Sequence, residues 1–299
     1  MKLTGLLIAG LAMATGSAGA ADQKTNSFSS TNARSLGNVE RLNKVIGREV
    51  RNQEQQKLGQ VNDLVIDLES GRILYAVISV GGFVGVGDRL VAVPVSAFQE
   101  AGEDLRLDVN RQQLSDAPQF SKAADQRAET LTPAFASRVN KHFGEGRAWW
   151  ESATGQTGEK FGNAHPASDL IGLEVSDVSN RKIGEVNNVM VDLSAGRVPY
   201  VIFAPEKSLD LNADFYAWPP NVLTPSGDGK SLTTGIDQSK LASAPHFKRN
   251  HWPNMSNRTW GLQVYEFYGK QPYFESEKLQ PTSTPTNSLE RIYHEPPKQ

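Results

Sequence analysis

One segment of this chain is written twice, at a constant spacing of 125 residues. Residues 46–77 align with residues 171–202 without a gap. The identical pairs are Ile46/Ile171, Gly47/Gly172, Glu49/Glu174, Val50/Val175, Lys57/Lys182, Gly59/Gly184, Val61/Val186, Asn62/Asn187, Asp67/Asp192, Leu68/Leu193, Gly71/Gly196, Arg72/Arg197 and Tyr75/Tyr200. A duplication of this kind predicts two copies of one fold. It also separates residues that both copies keep for folding from residues in which function can diverge.

The length and composition limit the domain organisation and the classes of function. The chain of 299 residues has room for two modest cores plus connecting segments. Lys and Arg number 31 against 33 Asp and Glu, so there is no basic surface of the kind that nucleic-acid binding needs. The absence of cysteine excludes disulfides, thiolate metal sites and cysteine nucleophiles. Each copy of about 80 residues is near the lower limit for folding alone, so we expect the copies to support each other.

The N-terminus has the pattern of a secretory signal peptide. Lys2 supplies a positive charge, Leu3–Met13 an apolar run, and Ala18–Ala20 a cleavage site of small residues. We therefore predict cleavage after residue 20 and a periplasmic location. A retained membrane anchor is the alternative, although the dense apolar part is shorter than the roughly 20 residues that a membrane span needs.

Within the first copy, the residue pattern favours short strands. Gln60–Leu68 and Ile73–Val80 are rich in β-branched residues and predict a hairpin, whose turn needs a positive φ at Gly71. Leu90–Val93 predicts a further strand. Many short strands at this spacing predict a small β-barrel or sandwich.

The segments around the copies have patterns of their own. Thr132-Pro133, followed by apolar residues at four-residue spacing, predicts one amphipathic helix in the linker. The predicted organisation is a signal peptide (1–20), a disordered lead-in (21–40), a first barrel (41–120), a linker (121–166) with a helix at about 132–143, a second barrel (167–247), an aromatic covering tail (248–275) and a disordered end (276–299).

The aromatic residues of the tail, Trp252, Trp260, Tyr265 and Tyr268, are interleaved with Pro and Gly. We expect the tail to wrap back in an extended form and to cover a barrel face or a strand edge. Carbohydrate stacking and interfacial membrane contact, to which Trp149-Trp150 would also contribute, are the alternatives.

The repeat resembles the PRC-barrel, the small β-barrel of the photosynthetic reaction-centre H subunit and of a ribosome maturation factor. The segments that carry the resemblance are Ile46–Val50, Leu58–Val61, Val65–Leu68, Gly71–Ile73, Gly81–Asp88 and Val91–Pro94. The resemblance implies two tandem PRC-type barrels in a mainly β fold. The residues 252–274 are similar to the tail of exported bacterial proteins with tandem PRC-barrels. The resemblance to the PRC-barrel also implies a role in docking or assembly, and it brings no shared catalytic residues.

The aspartates and arginines that both copies keep lie around the predicted turns. We interpret them as structural turn residues: Asp67, Gly71, Arg72, Asp192, Gly196 and Arg197. An aspartate that enters a turn accepts nearby amide N–H groups, and each arginine is expected to partner the carboxylate at its hairpin end. A catalytic pair of carboxylates is the alternative.

The glycine-rich loop of the first copy is absent from the second. Phosphate-binding glycine loops precede a helix, whereas Gly81–Gly87 precedes a strand and has no Lys after its last Gly. We predict instead that this loop docks a partner, through Phe83, Val84, Val86 and Asp88.

No motif indicates a catalytic residue, a cofactor-binding residue or a metal ligand. His246 and His251 are five residues apart, but outside any helical ligand motif. The sequence therefore predicts a non-enzymatic interaction module of the bacterial periplasm or envelope, with an unknown protein partner and no cofactor. The alternatives are a small-ligand binder or enzyme with a site at the barrel–barrel interface, and a membrane-tethered scaffold if the leader is retained.

Overall fold

The computed structural model describes residues 36–81, 89–146, 148–151, 161–211 and 213–274. The elements of the first half (36–151) are β1 (Val39–Arg41), α1 (Leu42–Val45), β2 (Glu49–Arg51), β3 (Lys57–Asp67), β4 (Arg72–Val80), β5 (Arg89–Val93), β6 (Phe98–Ala101), β7 (Asp104–Leu107), α2 (Arg111–Ser115), α3 (Ala124–Thr130) and α4 (Pro133–His142). Those of the second half (161–274) are β8 (Ala164–Pro166), α5 (Ala167–Leu170), β9 (Glu174–Ser176), β10 (Lys182–Asp192), β11 (Arg197–Pro205), β12 (Phe215–Trp218), β13 (Leu223–Pro225), β14 (Ser231–Thr234), α6 (Gln238–Ser243), β15 (His246–Phe247) and α7 (Arg258–Phe267).

The predicted hairpins are present in both halves. Strands β3 and β4 pair antiparallel, as do β10 and β11. Gly71 and Gly196 each have φ of +61°, the left-handed conformation that side chains with a Cβ resist. The prediction of a mainly β fold with two repeats is confirmed.

The strands form one connected sheet that is symmetric about its centre. Its order is β13-β14-β9-β10-β11-β4-β3-β2-β7-β6, so corresponding strands of the two halves stand at equal distances from the β11–β4 pair. The two tandem repeats are continuous with each other at this pair. The hydrogen-bonded ladder runs from one half into the other, because the two hairpin turns pair with each other.

That central pairing is made by the Gly-Arg turns. Arg72 and Arg197 are register partners. The N–H of Ile73 donates to the carbonyl of Gly196 at 2.9 Å, and the N–H of Val198 donates to the carbonyl of Gly71 at 3.0 Å. The turns therefore join the halves as well as close their own hairpins.

The halves also exchange their first strands. Strand β1 pairs with β10 of the second half, and β8 pairs with β3 of the first half, in the same register relative to the repeat. Val39 lies opposite Asp192, and Ala164 lies opposite Asp67. The prediction of disorder over 21–40 is therefore wrong for the strand residues 39 and 40, because the other half supplies their pairing partner.

Beside a smaller cluster on the first half around Tyr75, Phe120 and Phe135, one larger cluster of buried apolar residues spans both halves. The cluster includes Leu42 and Val45 of α1 and Ala167 and Leu170 of α5. Helix α1 lies against β10, and α5 lies against β3. Since each exchanged strand carries its helix into the opposite half, the exchange merges the cores. The expectation that the copies support each other is confirmed.

The linker and the tail are corresponding parts of the repeat. Helices α4 and α7 begin and end 125 residues apart. The Tyr75 ring lies 5.5 Å from that of Phe135 on α4, and the Tyr200 ring lies 5.3 Å from that of Trp260 on α7. The tail does cover a sheet face, but as a helix, so the expectation of an extended cover is wrong. The linker contains α3 as well as the predicted helix.

Candidate functional site

An open cleft on the first half is the largest concave site that we describe. It has a volume of about 890 Å³ and lies between the start of β5, the segment 116–122 and helices α3 and α4. Its charged lining residues are Arg89, Asp116, Lys122, Glu129, Arg138 and Lys141, with His142 beside them. Four cationic side chains thus face two carboxylates. We call this site the cationic cleft.

Two of the cleft's cations are tied to the protein by hydrogen bonds or ion pairs. Arg138 Nη2 lies 2.8 Å from the carboxylate of Glu129. Arg89 is held by Gln119, whose amide oxygen, turned toward the guanidinium, accepts from Nε at 3.0 Å. Lys122 and Lys141 form no ion pair within the described ranges, and both are exposed. The cleft therefore presents free positive charge to solvent.

The floor of the cleft is aromatic. Phe120 and Phe135 line it and are 6% and 3% exposed. Beneath them Tyr75 is buried, and its hydroxyl donates to the carbonyl of Thr130. Burial raises the pKa of Tyr75, so this hydroxyl stays protonated and acts as an anchor for the segment that carries α3.

In the second half, a tryptophan of the tail packs on two phenylalanines at the corresponding surface. The Trp252 ring lies 5.5 Å from that of Phe215 and 4.8 Å from that of Phe247. The guanidinium of Arg41 lies 3.7 Å above the Trp252 ring. In the repeat, Phe215 and Phe247 correspond to the cleft-lining residues Leu90 and Phe120, so Trp252 packs on the counterpart of part of that lining.

The charges of the two halves also differ at this site. By the 125-residue spacing, Arg89 corresponds to Asp214 and Lys141 corresponds to Glu266. The carboxylate of Asp214 accepts the backbone N–H of Arg249 at 2.9 Å. One duplicated surface has thus become a cationic cleft in one half and a more acidic face, packed against a tryptophan of the tail, in the other.

The shared aspartates lie in buried positions at the two hairpin turns. Asp67 and Asp192 are 2% and 0% exposed. Asp67 accepts the N–H of Ser70 at 2.9 Å, and Asp192 accepts the N–H of Ala195 at 3.0 Å, as an aspartate at a turn does.

Each shared aspartate also holds the exchanged segment of the opposite half. The N–H of Asn163 donates to Asp67 at 2.7 Å, and the N–H of Gly37 donates to Asp192 at 2.7 Å. Sequence reasoning did not find this second role. It follows from the strand exchange, which brings residues more than 90 positions apart into contact.

The shared arginines differ from the expectation. Arg72 and Arg197 are the backbone partners of Asp67 and Asp192 at the hairpin ends, but neither guanidinium forms an ion pair with a carboxylate of the described residues. Arg72 lies 4.9 Å from the centre of the Trp149 ring. Arg197 donates to the carbonyl of Ser70 at 3.2 Å. The contacts of both guanidiniums are therefore an aromatic ring or a carbonyl oxygen.

The docking loop of the sequence prediction lies outside the described residues. This applies to Phe83, Val84, Val86 and Asp88. Their assignment as partner contacts stays a prediction. The chain leaves this loop at Arg89, which lines the cationic cleft.

Two further possibilities raised by the sequence are a histidine metal site and a membrane span. His246 and His251 are exposed. Among the residues with described positions, no three His, Asp or Glu side chains gather as metal ligands. No helix in the described ranges is both long and apolar enough to cross a membrane.

Two signals in the sequence would have revealed the cleft. Thr132 and Asn257, which are 125 residues apart, cap α4 and α7 through their side chains. The repeat therefore extends beyond residues 46–77 and 171–202. The reversed charges at positions 89/214 and 141/266 then mark where the copies diverge.

Comparison with known proteins agrees with the duplicated architecture. The family model of the PRC-barrel domain matches residues 37–113 and residues 162–235. No curated protein matches the chain.

Proposed function

The chain belongs to the PRC-barrel family, and from this premise we propose that it is a non-enzymatic interaction module that docks another protein in the bacterial periplasm or envelope. PRC-barrel domains suggest protein interaction or assembly. The location rests on the leader pattern of residues 1–20.

The observation that carries the proposal is the divergence of one duplicated surface. The first half has an open cleft of about 890 Å³ lined by Leu90 and Phe120, whereas in the second half Trp252 packs on their counterparts Phe215 and Phe247. A change that served folding alone would be expected in both halves. An open cleft in one half therefore favours an occupant from outside the chain.

The chemistry of the cleft indicates an acidic segment of the partner. Lys122 and Lys141 form no ion pair with a described carboxylate, while Phe120 and Phe135 form an apolar floor. A peptide segment with Asp or Glu residues and one apolar side chain would satisfy both features. Such complementarity accelerates association and makes it sensitive to salt.

The shared polar residues support a non-enzymatic role. A carboxylate that acts as a general acid or base must lie within hydrogen-bond reach of the substrate. Asp67 and Asp192 are buried, and both accept backbone N–H groups of the exchanged segments. Their burial and bonding fit an architectural role.

Site-specific photocrosslinking in the native envelope tests the proposal. A photoreactive amino acid at position 141 should form an adduct with one discrete protein, whereas the same amino acid at position 266 should not. The crosslinked peptide of the partner, mapped by mass spectrometry, should be acidic. Lys122→Glu should reduce the adduct at least tenfold, and the exposed Lys44→Glu should leave it unchanged.

The contrary outcomes are equally distinct. Docking is wrong if no adduct forms at position 141, or if positions 141 and 266 give the same adducts. An adduct that maps to a neutral or basic peptide rejects the acidic segment but not docking. The intact mass of the exported protein shows separately whether the leader is cleaved or retained. A mass that includes Met1–Ala20 contradicts a cleaved periplasmic form.

A further inference from the structure

A second cavity lies where the two halves meet, apart from the cationic cleft. It has a volume of about 480 Å³, within the range of small-molecule sites. The first half contributes Arg72 and Trp149, and the turn of the second half contributes Leu193 and Ala195. Because both halves build its walls, this cavity exists only in the joined fold.

Two arginines lie together at this junction. Arg72 and Arg197 are register partners, and directly opposite residues of antiparallel strands project on the same face of the sheet. Both are only partly exposed. Within residues 36–81, 89–146, 148–151, 161–211 and 213–274, no carboxylate lies within 4 Å of either guanidinium. Partly buried charges of one sign are normally neutralised by a partner.

The two guanidiniums differ in what satisfies them. Arg197 donates to the carbonyl of Ser70 at 3.2 Å, and its guanidinium lies 5.1 Å from the centre of the Tyr273 ring. Arg72 lines the cavity and donates no hydrogen bond to the described residues. Its contact is the Trp149 ring, 4.9 Å away. Burial, with the charge of Arg197 beside it, lowers the pKa of Arg72 to about 10. Arg72 is therefore the donor available to a ligand.

The remaining lining defines the ligand more closely. Trp149 is 46% exposed, although it is one of the largest apolar side chains of the protein. Leu74 and Val95 add an apolar wall. Glu145 lines the same cavity, and it would repel a multiply charged anion such as phosphate more strongly than an anion with a single charge. A single carboxylate on an apolar or aromatic body fits all three features.

We propose that this junction cavity binds an organic monocarboxylate, with Arg72 as the bidentate partner of the carboxylate and Trp149 as the apolar contact. A planar guanidinium matches a carboxylate through two parallel N–H···O bonds. The carboxylate would come either from a free small molecule or from the C-terminus of a polypeptide, since both carry the same group. Either source would neutralise the arginine pair and bridge the two halves.

The test compares acids with matched neutral analogues. Binding of indole-3-acetate and indole-3-acetamide to the full chain is measured by calorimetry, and so is binding of a short peptide ending in Trp with a free or an amidated C-terminus. At least one acid should bind at least tenfold more tightly than its amide, and inorganic phosphate should not compete. The better of the two acids identifies the source of the carboxylate.

Variants locate the site. Arg72→Gln and Trp149→Ala should each weaken binding of the acid at least tenfold, whereas Arg138→Gln, at the cationic cleft, should leave it unchanged. Arg72→Lys should weaken it as well, because Lys keeps the charge but loses the bidentate geometry. If Arg72→Gln does not fold, the contrast between acid and amide and the Arg72→Lys variant decide.

The proposal is overturned if neither acid binds, if acid and amide bind equally, or if folded Arg72→Gln or Arg72→Lys keeps full affinity. None of these outcomes bears on docking at the cationic cleft, because the crosslinking experiment reads a different surface.

Discussion

Asp67 and Asp192, which are 125 residues apart, each bind the exchanged segment of the opposite half. Asp67 accepts the backbone N–H of Asn163 at 2.7 Å, and Asp192 accepts that of Gly37 at the same distance. Asn163 directly precedes β8, which pairs with β3 of the first half, and Gly37 lies shortly before β1, which pairs with β10 of the second half. The pair makes the repeat symmetric in its long-range contacts as well as in its sequence.

Removing either carboxylate should destabilise the whole described fold. In Asp67→Ala and Asp192→Ala, each buried or part-buried N–H that loses its acceptor costs up to about 1–3 kcal/mol. Because the larger core cluster spans both halves, calorimetry should show one unfolding transition for the parent chain, and both variants should lower its midpoint. Asp108→Ala, an exposed control, should leave it unchanged. Two resolved transitions, one shifted by each variant, would contradict the merged core.

The pH dependence of stability should carry a contribution from Asp63. Burial raises the pKa of Asp63, although Ser168 and Leu64 donate hydrogen bonds to its carboxylate and Lys122 places a positive charge nearby. The folded protein therefore takes up this proton at a higher pH than the unfolded chain does. This contribution favours the folded state at low pH and is lost as pH rises through the folded pKa.

Asp63→Asn isolates that contribution, since Asn188 occupies the corresponding position of the second half. Urea unfolding should show the free energy of unfolding of the parent chain falling relative to the variant as pH rises from about 4 upward. The exposed Asp108→Asn serves as a control and should give a flat difference. A difference that rises with pH would mean that Asp63 is stabilised when ionised.

The turn glycines should not tolerate a β-branched residue. Valine at a φ of +61° is strained by roughly 1–3 kcal/mol, so Gly71→Val and Gly196→Val should both lower the free energy of unfolding. A Cβ at position 71 would also lie 3.1 Å from Pro220 Cγ, whereas at position 196 the nearest atom is 3.4 Å away. The loss should be larger at 71. Gly227→Val, where a Cβ meets open space, is the control. Unchanged thermal unfolding of both turn variants would refute the hairpin geometry.

The corresponding tyrosines should respond differently to loss of the hydroxyl. Tyr75 donates to the carbonyl of Thr130, so Tyr75→Phe should cost about 1–2 kcal/mol. The buried hydroxyl of Tyr200 has no hydrogen-bond partner among the described residues, so Tyr200→Phe should be neutral or stabilising. Chemical denaturation of the two variants makes the comparison, in which each serves as the other's control. Equal losses would show that the hydroxyl of Tyr200 is satisfied.

Local patterns predicted the local structure well. The hairpins, the positive φ of Gly71 and the linker helix depend on residues close in sequence, whose preferences act without the rest of the fold. The tail was read as extended because Pro and Gly lie among its aromatics. Helix α7 forms there because Asn257 caps it and Tyr200 and Phe274 bury its inner face.

The residue order was enough to predict a duplicated, mainly β chain, because a gapless repeat and β-branched runs can be read from it directly, and the resemblance to the PRC-barrel added the fold family. The tertiary structure alone decided which half each leading strand joins, where Arg72 and Arg197 meet, and which copy keeps an open cleft. Those outcomes depend on contacts between residues roughly 100 or more positions apart, and their energies belong to the packed interface of the two halves.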